Sequence, residues 1–363
     1  MKTHRHTGRH TTPTRRPSWP TLRARPSKAS AHASVRVFLC YITRCGSVCL
    51  SPLVILFTQA SPHTNCNHMR VHSFLVRGDG HGAPLVSQLG SVSSMALNAL
   101  VLMSLGADHS ALLSAVASSK IDCPVYLTET YGIIGFDEAS QAHVELMEKG
   151  RGSEYGFQGG SGGQGCVIIA FEGARAGHTS DFPKDASSLM VIADTSKAFA
   201  KVASSAPLHY GGITKECYLA VNPAAGSPSL ERVPFFWVAS PTGSAPVGVS
   251  TFTEGPSHAA SALLGKLPAG WQPGAIGLFP CFTRGVNLYK EEDVESSAIA
   301  EAASLPVDAR IFGMFAHGEL GPSSFSGFTR EASEAAGILH EQHSMTSILA
   351  VHTREAPGAK DEI

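Results

Sequence analysis

The chain has 363 residues, of which 43% are hydrophobic and 16% are Asp, Glu, Lys or Arg, and its net charge is −1. This composition is typical of one large or two ordinary domains with a sizeable core. The charge is uneven, because the first 78 residues contain 12 Lys and Arg and no Asp or Glu, which leaves −13 for the remainder. An acidic body is a poor partner for phosphates, so we expect no nucleic-acid partner.

Residues 1–75 form a basic leader in which Arg is scattered among Pro, Ser and Thr. Such a sequence predicts disorder. Its composition is also typical of a mitochondrial transit peptide. A third interpretation is a wrong start or exon join, since nothing in the leader is patterned for the body that follows. Its apolar stretches, 35–39 and 48–57, are shorter than the roughly 20 residues of a membrane span, so we expect no membrane contact.

The body shows strand and helix patterns in alternation from residue 96 onwards. In chain order, these patterns predict a strand at 96–103, a helix at 108–118 that Asp108 caps, a strand at 124–127, a helix at 141–149, a flexible loop at 150–165, strands at 166–171 and 189–193, a helix at 196–204 and a turn at Gly211 and Gly212.

The pattern continues with more strands than helices. It predicts strands at 233–238 and 247–252 joined by a hairpin, a helix at 258–266, strands at 275–281 and 311–315 with a helix containing Glu295 between them, and last strands at 325–329 and 345–351. The expected fold class is therefore α+β, with mixed β-sheets and flanking helices.

Two segments that follow apolar strands resemble each other. When residues 125–135 are aligned with residues 311–321, the matches are Gly132 with Gly318, Gly135 with Gly321 and Tyr131 with His317. Each segment also follows another apolar strand and a helix, a shared context that predicts an internal duplication. We expect two duplicated halves, 96–260 and 261–355, with Tyr131 and His317 facing each other across them.

The stretch 275–321 contains most of the residues suited to chemistry. Its two strands end in turns rich in glycine and polar groups, and α/β folds build ligand sites at such turns. The candidate ligand-binding residues are Cys281, Arg284, Gly285, Tyr289, Glu295, Gly313, His317, Gly318, Glu319, Gly321 and, through the duplication, Tyr131.

Three of these side chains define the expected chemistry. Cys281 is either a thiol whose pKa a nearby Arg284 lowers or a buried small hydrophobe. Arg284 either holds a carboxylate with its planar fork or is a solvated loop residue. Glu319 either binds a ligand amine, pairs with Arg284 or caps backbone amides. If the three converge on one pocket, their opposite charges suit an amino-acid-like zwitterion.

These motifs resemble the C-terminal half of the FIST domain, which is named for F-box and intracellular signal transduction. The family pattern is a Cys-x-x-Arg-Gly strand end, a Tyr, a Val-Glu that opens a helix, and Gly-Phe-Phe-x-x-Gly-Glu-Ile-Gly. In this chain the pattern occurs at residues 281–285, 289, 294–295 and 313–321. From 96 to 260 the chain resembles the N-terminal FIST half, and residues 1–75 are not covered. The sequence departs from the pattern at Pro280, and it shows no recognisable F-box.

The resemblance implies recognition. Bacterial FIST domains occur in signalling proteins that bind small ligands, and animal members select substrates for a cullin–RING ubiquitin ligase. We therefore expect a non-enzymatic recognition protein linked to ubiquitin-mediated turnover, with a protein substrate and the ligase adaptor as partners. One alternative is a sensory domain for an amino-acid-like ligand. The other is an enzyme with Cys281 as nucleophile and His317 or Glu319 as base.

The remaining expectations concern cofactors and compartment. The loop at 159–165 is rich in glycine but lacks the Lys-Ser/Thr of a phosphate-binding loop. The cysteines show no zinc-like spacing. We expect no metal or other cofactor. Scattered cysteines suit a reducing compartment. We expect the cytoplasm or nucleus, with the mitochondrion as the alternative.

Overall fold

The computed structural model describes residues 69–78, 83–106, 108–148, 163–198, 208–221, 228–253, 255–306, 308–323, 326–328 and 340–357. All of them belong to one compact unit, residues 65–363. The predicted α+β class is confirmed, because these ranges form three mixed β-sheets with a few short helices. Within them, no helix has the length and apolar character needed to cross a membrane.

The first repeat of the fold begins inside the segment predicted to be a leader. Its elements are β1 (Arg70–Arg77), α1 (Ala83–Ser93), β2 (Leu97–Leu105), α2 (His109–Ser118), β3 (Val125–Glu129), β4 (Gly132–Asp137), β5 (Ala142–Met147) and β6 (Gly165–Glu172). β2 and β3 run parallel, and α2 connects them. The Asp108 side chain caps α2 by accepting a hydrogen bond from the Ser110 amide at 2.8 Å, as predicted. The strand order is β1-β6-β2-β3.

The second repeat has the same plan. Its strands are β7 (Arg175–Gly177), β8 (Ala186–Ala193), β9 (Leu208–Ile213), β10 (Glu216–Val221), β11 (Ser229–Arg232) and β12 (Phe235–Pro241). β8 and β9 run parallel, and the order β7-β12-β8-β9 matches that of the first sheet. The predicted helix at 196–204 begins at 196–198, and its remainder lies outside the described residues.

The third repeat completes the set. Its elements are β13 (Val247–Phe252), α3 (Pro256–Leu264), β14 (Trp271–Pro280), α4 (Val286–Tyr289), α5 (Val294–Ala303), β15 (Arg310–Met314), β16 (Glu319–Pro322), β17 (Ser326–Gly327), β18 (His340–His343) and β19 (Ser347–Glu355). β14 and β15 run parallel, the order is β13-β19-β14-β15, and β17 lies beside β13.

Each repeat contributes two of its strands to the sheet of another repeat. β4 and β5 of the first repeat extend the third sheet beside β15. β16 and β18 of the third repeat extend the second sheet beside β9. β10 and β11 of the second repeat extend the first sheet beside β3. The exchange is cyclic. The strands β3, β9 and β15 would otherwise be free edges, and each is covered by a strand of another repeat.

The structure corrects the predicted division of the chain. The alignment of 125–135 with 311–321 is confirmed, because β3 and β15 have equivalent places in their sheets. The described residues form three such units instead of two halves, and the boundary between 260 and 261 falls inside α3. Residues 70–75, assigned to the leader, belong to β1, and residues 1–68 lie outside the described part of the chain.

Three local predictions are also wrong. Residues 141–149 were expected to form a helix, but β5 pairs with β4 along its whole length, so tertiary pairing overrides local composition. Gly211 and Gly212 lie within β9 and do not form a turn. β12 and β13 are both strands as predicted, but they belong to different sheets and form no hairpin. The loop predicted at 150–165 lies largely outside the described residues.

The three sheets enclose a common core. Alternate residues point inward, so in β2 Val101 and Met103 enter this core while Leu100 and Leu102 face the helices α1 and α2. Other large inward side chains include Ile169, Phe171, Met190, Ile192, Tyr210, Phe236, Phe279, Phe312 and Ile348. Burying each one stabilises the fold by about 1.5–3 kcal/mol relative to exposure. The core therefore joins all three repeats into one body.

A glycine permits the close approach of the parallel strands in two repeats. Gly211 in β9 and Gly313 in β15 occupy equivalent positions. A Cβ atom would lie 1.9 Å from the Val191 carbonyl oxygen at the first and 1.8 Å from the Leu278 carbonyl oxygen at the second. These distances are far below van der Waals contact, so strand packing alone requires glycine at Gly313, a candidate ligand-binding residue.

Substitution of Gly313 tests this packing. We expect Gly313→Ala to lower the free energy of unfolding by about 3 kcal/mol, since the methyl group would overlap the Leu278 carbonyl. Urea denaturation measures the change. The matched control is Gly90→Ala in α1, where a Cβ atom would meet open space and the helix gains up to about 1 kcal/mol. Equal stability of the two variants would contradict the close approach.

Candidate ligand-binding site

Three equivalent connections lead from the parallel strands into the exchanged strands. Tyr131 lies between β3 and β4, Lys215 between β9 and β10, and His317 between β15 and β16. In each repeat the preceding residue donates its amide to the carbonyl at the end of the other parallel strand. These bonds are Thr130 to Ser104 at 2.9 Å, Thr214 to Ala193 at 2.8 Å and Ala316 to Pro280 at 2.8 Å. The three side chains therefore occupy the same place in the repeat.

These side chains contact one another where the repeats meet. The rings of Tyr131 and His317 lie 5.9 Å apart, which confirms that the two face each other. The Lys215 Nζ lies 5.5 Å from the centre of the Tyr131 ring, a cation–π distance. Phe282, which follows β14, contacts both Tyr131 at 5.7 Å and His317 at 5.3 Å. All three repeats thus contribute to one group of rings around an ammonium.

Carboxylates surround the ammonium of Lys215. Its Nζ lies 3.1 Å from Glu148 Oε2 and 3.4 Å from Glu129 Oε1. Glu129 in turn lies 3.9 Å from the His109 imidazole. The side chains of Lys215, Glu129 and Glu148 are 19%, 31% and 37% exposed, so solvent and solutes reach them. We name this group the junction cluster; its members are Glu129, Tyr131, Glu148, Lys215, Phe282 and His317.

The junction cluster offers complementary binding groups within one small region. The ammonium of Lys215 can bind a carboxylate of a ligand, and the carboxylates of Glu129 and Glu148 can bind its ammonium. The rings can cover an apolar or cationic part of the ligand. Among the described residues, no group of three or more His, Cys, Asp or Glu side chains is placed to hold a metal ion. The ammonium, carboxylates and rings together suit a small charged organic molecule.

Arg284 lies in a separate, buried cluster. Its Nε donates to Glu295 Oε1 at 2.6 Å, and its Nη2 donates to the Tyr289 hydroxyl at 2.8 Å. Its Nη1 contacts the carbonyls of Thr253 and Met345 at 3.3 and 3.2 Å. The side chains of Arg284 and Glu295 are 3% and 0% exposed. This cluster fixes the segment after β14 onto α5.

Tyr289 and Ser347 complete the surroundings of Glu295. The Tyr289 hydroxyl donates to Glu295 Oε1 at 3.1 Å, and the Ser347 hydroxyl donates to Oε2 at 2.8 Å. Burial and the charge of Glu295 raise the pKa of Tyr289 to about 12. Both carboxylate oxygens of Glu295 therefore have partners within the fold.

Cys281 and Glu319 form a second buried pair. Thr346 donates to Glu319 Oε2 from its hydroxyl at 2.7 Å and from its amide at 3.2 Å. Thr283 donates to the Cys281 sulfur at 3.1 Å. Burial, and then the charge of Glu319, raise the pKa of the Cys281 thiol. Burial raises the pKa of Glu319 to about 7.

The expected common pocket of Cys281, Arg284 and Glu319 is therefore wrong. Cys281 and Glu319 lie together, but Arg284 pairs with Glu295, and residues 345–347 lie between the two clusters. The three residues are 5%, 2% and 0% exposed. Arg284 is neither a solvated loop residue nor the partner of Glu319. The prediction that Arg284 lowers the pKa of the Cys281 thiol is also wrong, because this pKa is raised.

The remaining candidate glycines serve the backbone. Gly285 has φ 55° and ψ −137°, and a Cβ atom there would lie 2.7 Å from the Phe315 ring. A Cβ atom at Gly318 would lie 2.6 Å from the Gln342 side chain, and one at Gly321 would lie 2.7 Å from Ile348. These positions explain part of the glycine-rich pattern by close packing between strands.

Tyr131 and His317 were predictable from the sequence, whereas Lys215 was not. The glycine that follows the other two positions is replaced by Glu216, and Gly211 and Gly212 were interpreted as a turn. The strand–helix order could have indicated this position, since the strand at 189–193 and the predicted helix at 196–204 repeat the order of the other copies. The carboxylates of Glu129 and Glu148 were missed because their approach to Lys215 depends on the exchange of strands between repeats.

Comparison with known proteins does not identify the family. No model of a protein family matches the chain, and no curated protein is similar to it at a significant level. The resemblance to the FIST domain therefore stays a prediction that rests on the residues from 275 to 321.

Removal of Arg284 distinguishes a structural cation from a ligand-binding one. We expect Arg284→Met to lower the free energy of unfolding by about 3–5 kcal/mol, because it leaves Glu295 buried without its counter-ion. The control is Arg232→Met: Arg232 pairs with Asp194 and Glu216, and its side chain is 58% exposed. That change should cost about 1 kcal/mol or less. Equal losses in urea denaturation would contradict the buried pair and leave Arg284 available to a ligand.

Proposed function

We propose that this chain is a non-enzymatic, FIST-like recognition protein whose junction cluster binds a small amino-acid-like ligand. One observation carries the proposal: equivalent positions of the three repeats place a phenol, an ammonium and an imidazole in contact at a solvent-accessible point. Complementary charges and rings from separate elements within a few ångström are typical of binding sites. The charges of Arg284 and Glu319 were first expected to bind such a ligand, but both are committed inside the fold.

The ligand's two charges have natural partners in the cluster. Its ammonium would lie near Glu148 and Glu129, in competition with the Lys215 Nζ that now occupies this place. Its carboxylate would then bind the displaced Lys215 ammonium. The rings of Tyr131 and Phe282 would cover the carbon skeleton. Ligand binding would thus exchange an internal ion pair for two intermolecular ones.

The chemistry of Cys281 supports recognition over the enzymatic alternative. A cysteine acts as a nucleophile in its thiolate form. Burial and the neighbouring Glu319 raise the thiol pKa, and only 5% of the residue is exposed. A protonated, buried thiol fits the role of a small apolar side chain better than that of a nucleophile.

Calorimetry with a panel of amino acids tests the proposal on the full chain. We expect at least one to bind, and we expect Lys215→Met to weaken its affinity tenfold or more because the carboxylate loses its counter-ion. Lys184→Met is the matched control, since Lys184 is exposed and lies outside the cluster. It should bind like the wild type. No heat with any amino acid, or equal affinity in all three proteins, would overturn the assignment.

The proposal extends to ubiquitin-mediated turnover in the cytoplasm or nucleus. This part is supported by the resemblance of residues 281–285 and 313–321 to the FIST pattern. A FIST region that selects substrates would present a protein-binding surface to the ligase. The junction cluster would then sense a small ligand while another surface binds the protein substrate.

Binding to the ligase adaptor tests this extension. Purified adaptor of a cullin–RING ligase should be retained by the immobilised full-length chain. Lys215→Met should retain it equally, because the junction cluster is proposed to bind the small ligand and not the adaptor. If the adaptor is not retained at micromolar concentration, the ubiquitin link is wrong and ligand sensing alone remains.

A further inference from the structure

The exchanged hairpin of the first repeat connects the junction cluster to the third repeat. β4 begins immediately after Tyr131, and β5 ends immediately before Glu148. The Glu148 amide donates to the Tyr131 carbonyl at 3.1 Å, which closes the base of the hairpin. Two members of the cluster are therefore held in place by the docking of this hairpin on the third repeat.

Glu145 makes a buried polar contact in that docking. It lies in β5, is 5% exposed, and its Oε1 accepts a hydrogen bond from the Ser296 amide in the first turn of α5 at 2.7 Å. Its own amide donates to Asp293 Oδ1 at 2.5 Å. Asp293 offers α5 no side-chain cap, so the carboxyl group of Glu145 takes that role from another repeat. Its Oε2 is buried and has no hydrogen-bond partner within the described part of the chain.

The charged groups around Glu145 are mostly of its own sign. Asp293 and Glu295 approach it from the start of α5, and Tyr289 approaches from α4. Arg284 faces this region but is bound to Glu295, and Arg77 at the end of β1 is bound to Asp137 and lies near Asp293. A buried carboxylate among carboxylates is strongly disfavoured, whereas a protonated one is tolerated.

We propose that Glu145 is a proton-dependent docking contact that regulates the junction cluster: the protonated side chain keeps the β4–β5 hairpin docked on α5, and its ionisation loosens the hairpin and with it Tyr131 and Glu148. The regulatory role rests on the proposed ligand site, but the docking contact itself does not. The proton is held on the buried Glu145 carboxyl group, and opening of the hairpin releases it to water.

The direction of the pH dependence follows from the pKa of Glu145. Burial raises this pKa most, the hydrogen bonds from Ser296 lower it, and the charges of Glu295 and Asp293 raise it, so that it rises overall from 4.5 to about 7. A raised pKa in the docked state means that the docked state has its full stability below pH 4.5 and loses it as pH rises through 7. The opening equilibrium of the hairpin should therefore increase about 30-fold between pH 5.5 and 8.5.

Hydrogen–deuterium exchange on the full-length chain measures this opening. Protection factors, which remove the intrinsic pH dependence of exchange, should fall about 30-fold for the amides of β4, β5 and Glu148 over that range. Amides of β2 in the first sheet should keep their protection. Constant protection of the hairpin in the wild type would overturn the proposal without any variant.

Two variants identify the titrating group. Glu145→Gln keeps the shape and a hydrogen-bond acceptor but cannot ionise, so its hairpin should stay protected at pH 8.5. Glu138→Gln removes an exposed carboxylate that pairs with Arg310 of β15 from the turn of the same hairpin, and its protection factors should fall with pH as in the wild type. An unchanged fall in Glu145→Gln would assign the titration elsewhere and overturn the role of Glu145.

The link to the junction cluster needs a readout that does not depend on ligand binding. The ring signals of Tyr131, assigned in NMR spectra by comparison with Tyr131→Phe, should shift with a midpoint near the Glu145 pKa of about 7. The shift should be absent in Glu145→Gln. Tyr131 ring signals that do not shift with pH would overturn the coupling between Glu145 and the junction cluster. Failure of amino acids to bind would instead overturn the proposed ligand and leave these measurements unaffected.

Discussion

The cyclic exchange of strand pairs is the constraint on which the rest of this fold depends. Each repeat alone would end in an exposed strand, β3, β9 or β15, with unpaired backbone groups. Another repeat supplies the missing pair in every case, and the core shared by the three sheets holds the partners together. The repeats therefore cannot be separated without exposing both backbone hydrogen-bonding groups and apolar side chains, and we expect the three to fold as one unit.

The exchange also explains where the candidate site lies. Each exchanged pair must leave its own repeat at the end of a parallel strand, so three connections come together at one place. The backbone of each connection is fixed by hydrogen bonds to its neighbours. Its side chain is not needed for pairing, so Tyr131, Lys215 and His317 can differ while the backbone stays the same. Function can be built at this place without disturbing the fold.

Most elements of the body were predictable from the sequence, because buried strands such as 166–171 and 189–193 are runs of apolar residues. The duplication was visible because glycine is required at both positions, at Gly132 by close packing against the Leu146 carbonyl and at Gly318 by a φ of 152°. The second repeat and the strand character of 142–147 were not visible, because the second repeat lacks the glycine of the other two copies and β5 depends on its pairing with β4 and its packing on α5. The same cause hid Lys215, whose partners Glu129 and Glu148 come from another repeat.

Charge alone did not locate the site, because burial decides what a charged group can do. Arg284 and Glu295 bind each other and neighbouring polar groups, so they stabilise the fold and cannot bind a ligand. Lys215 has a similar carboxylate environment but remains partly exposed, and an exposed pair can exchange partners at little cost. Glu145 lies between these cases: it is buried, but its partner is an amide instead of a cation. A proton can neutralise it, and the structure thereby couples the docking of a hairpin to pH at the edge of a candidate binding site.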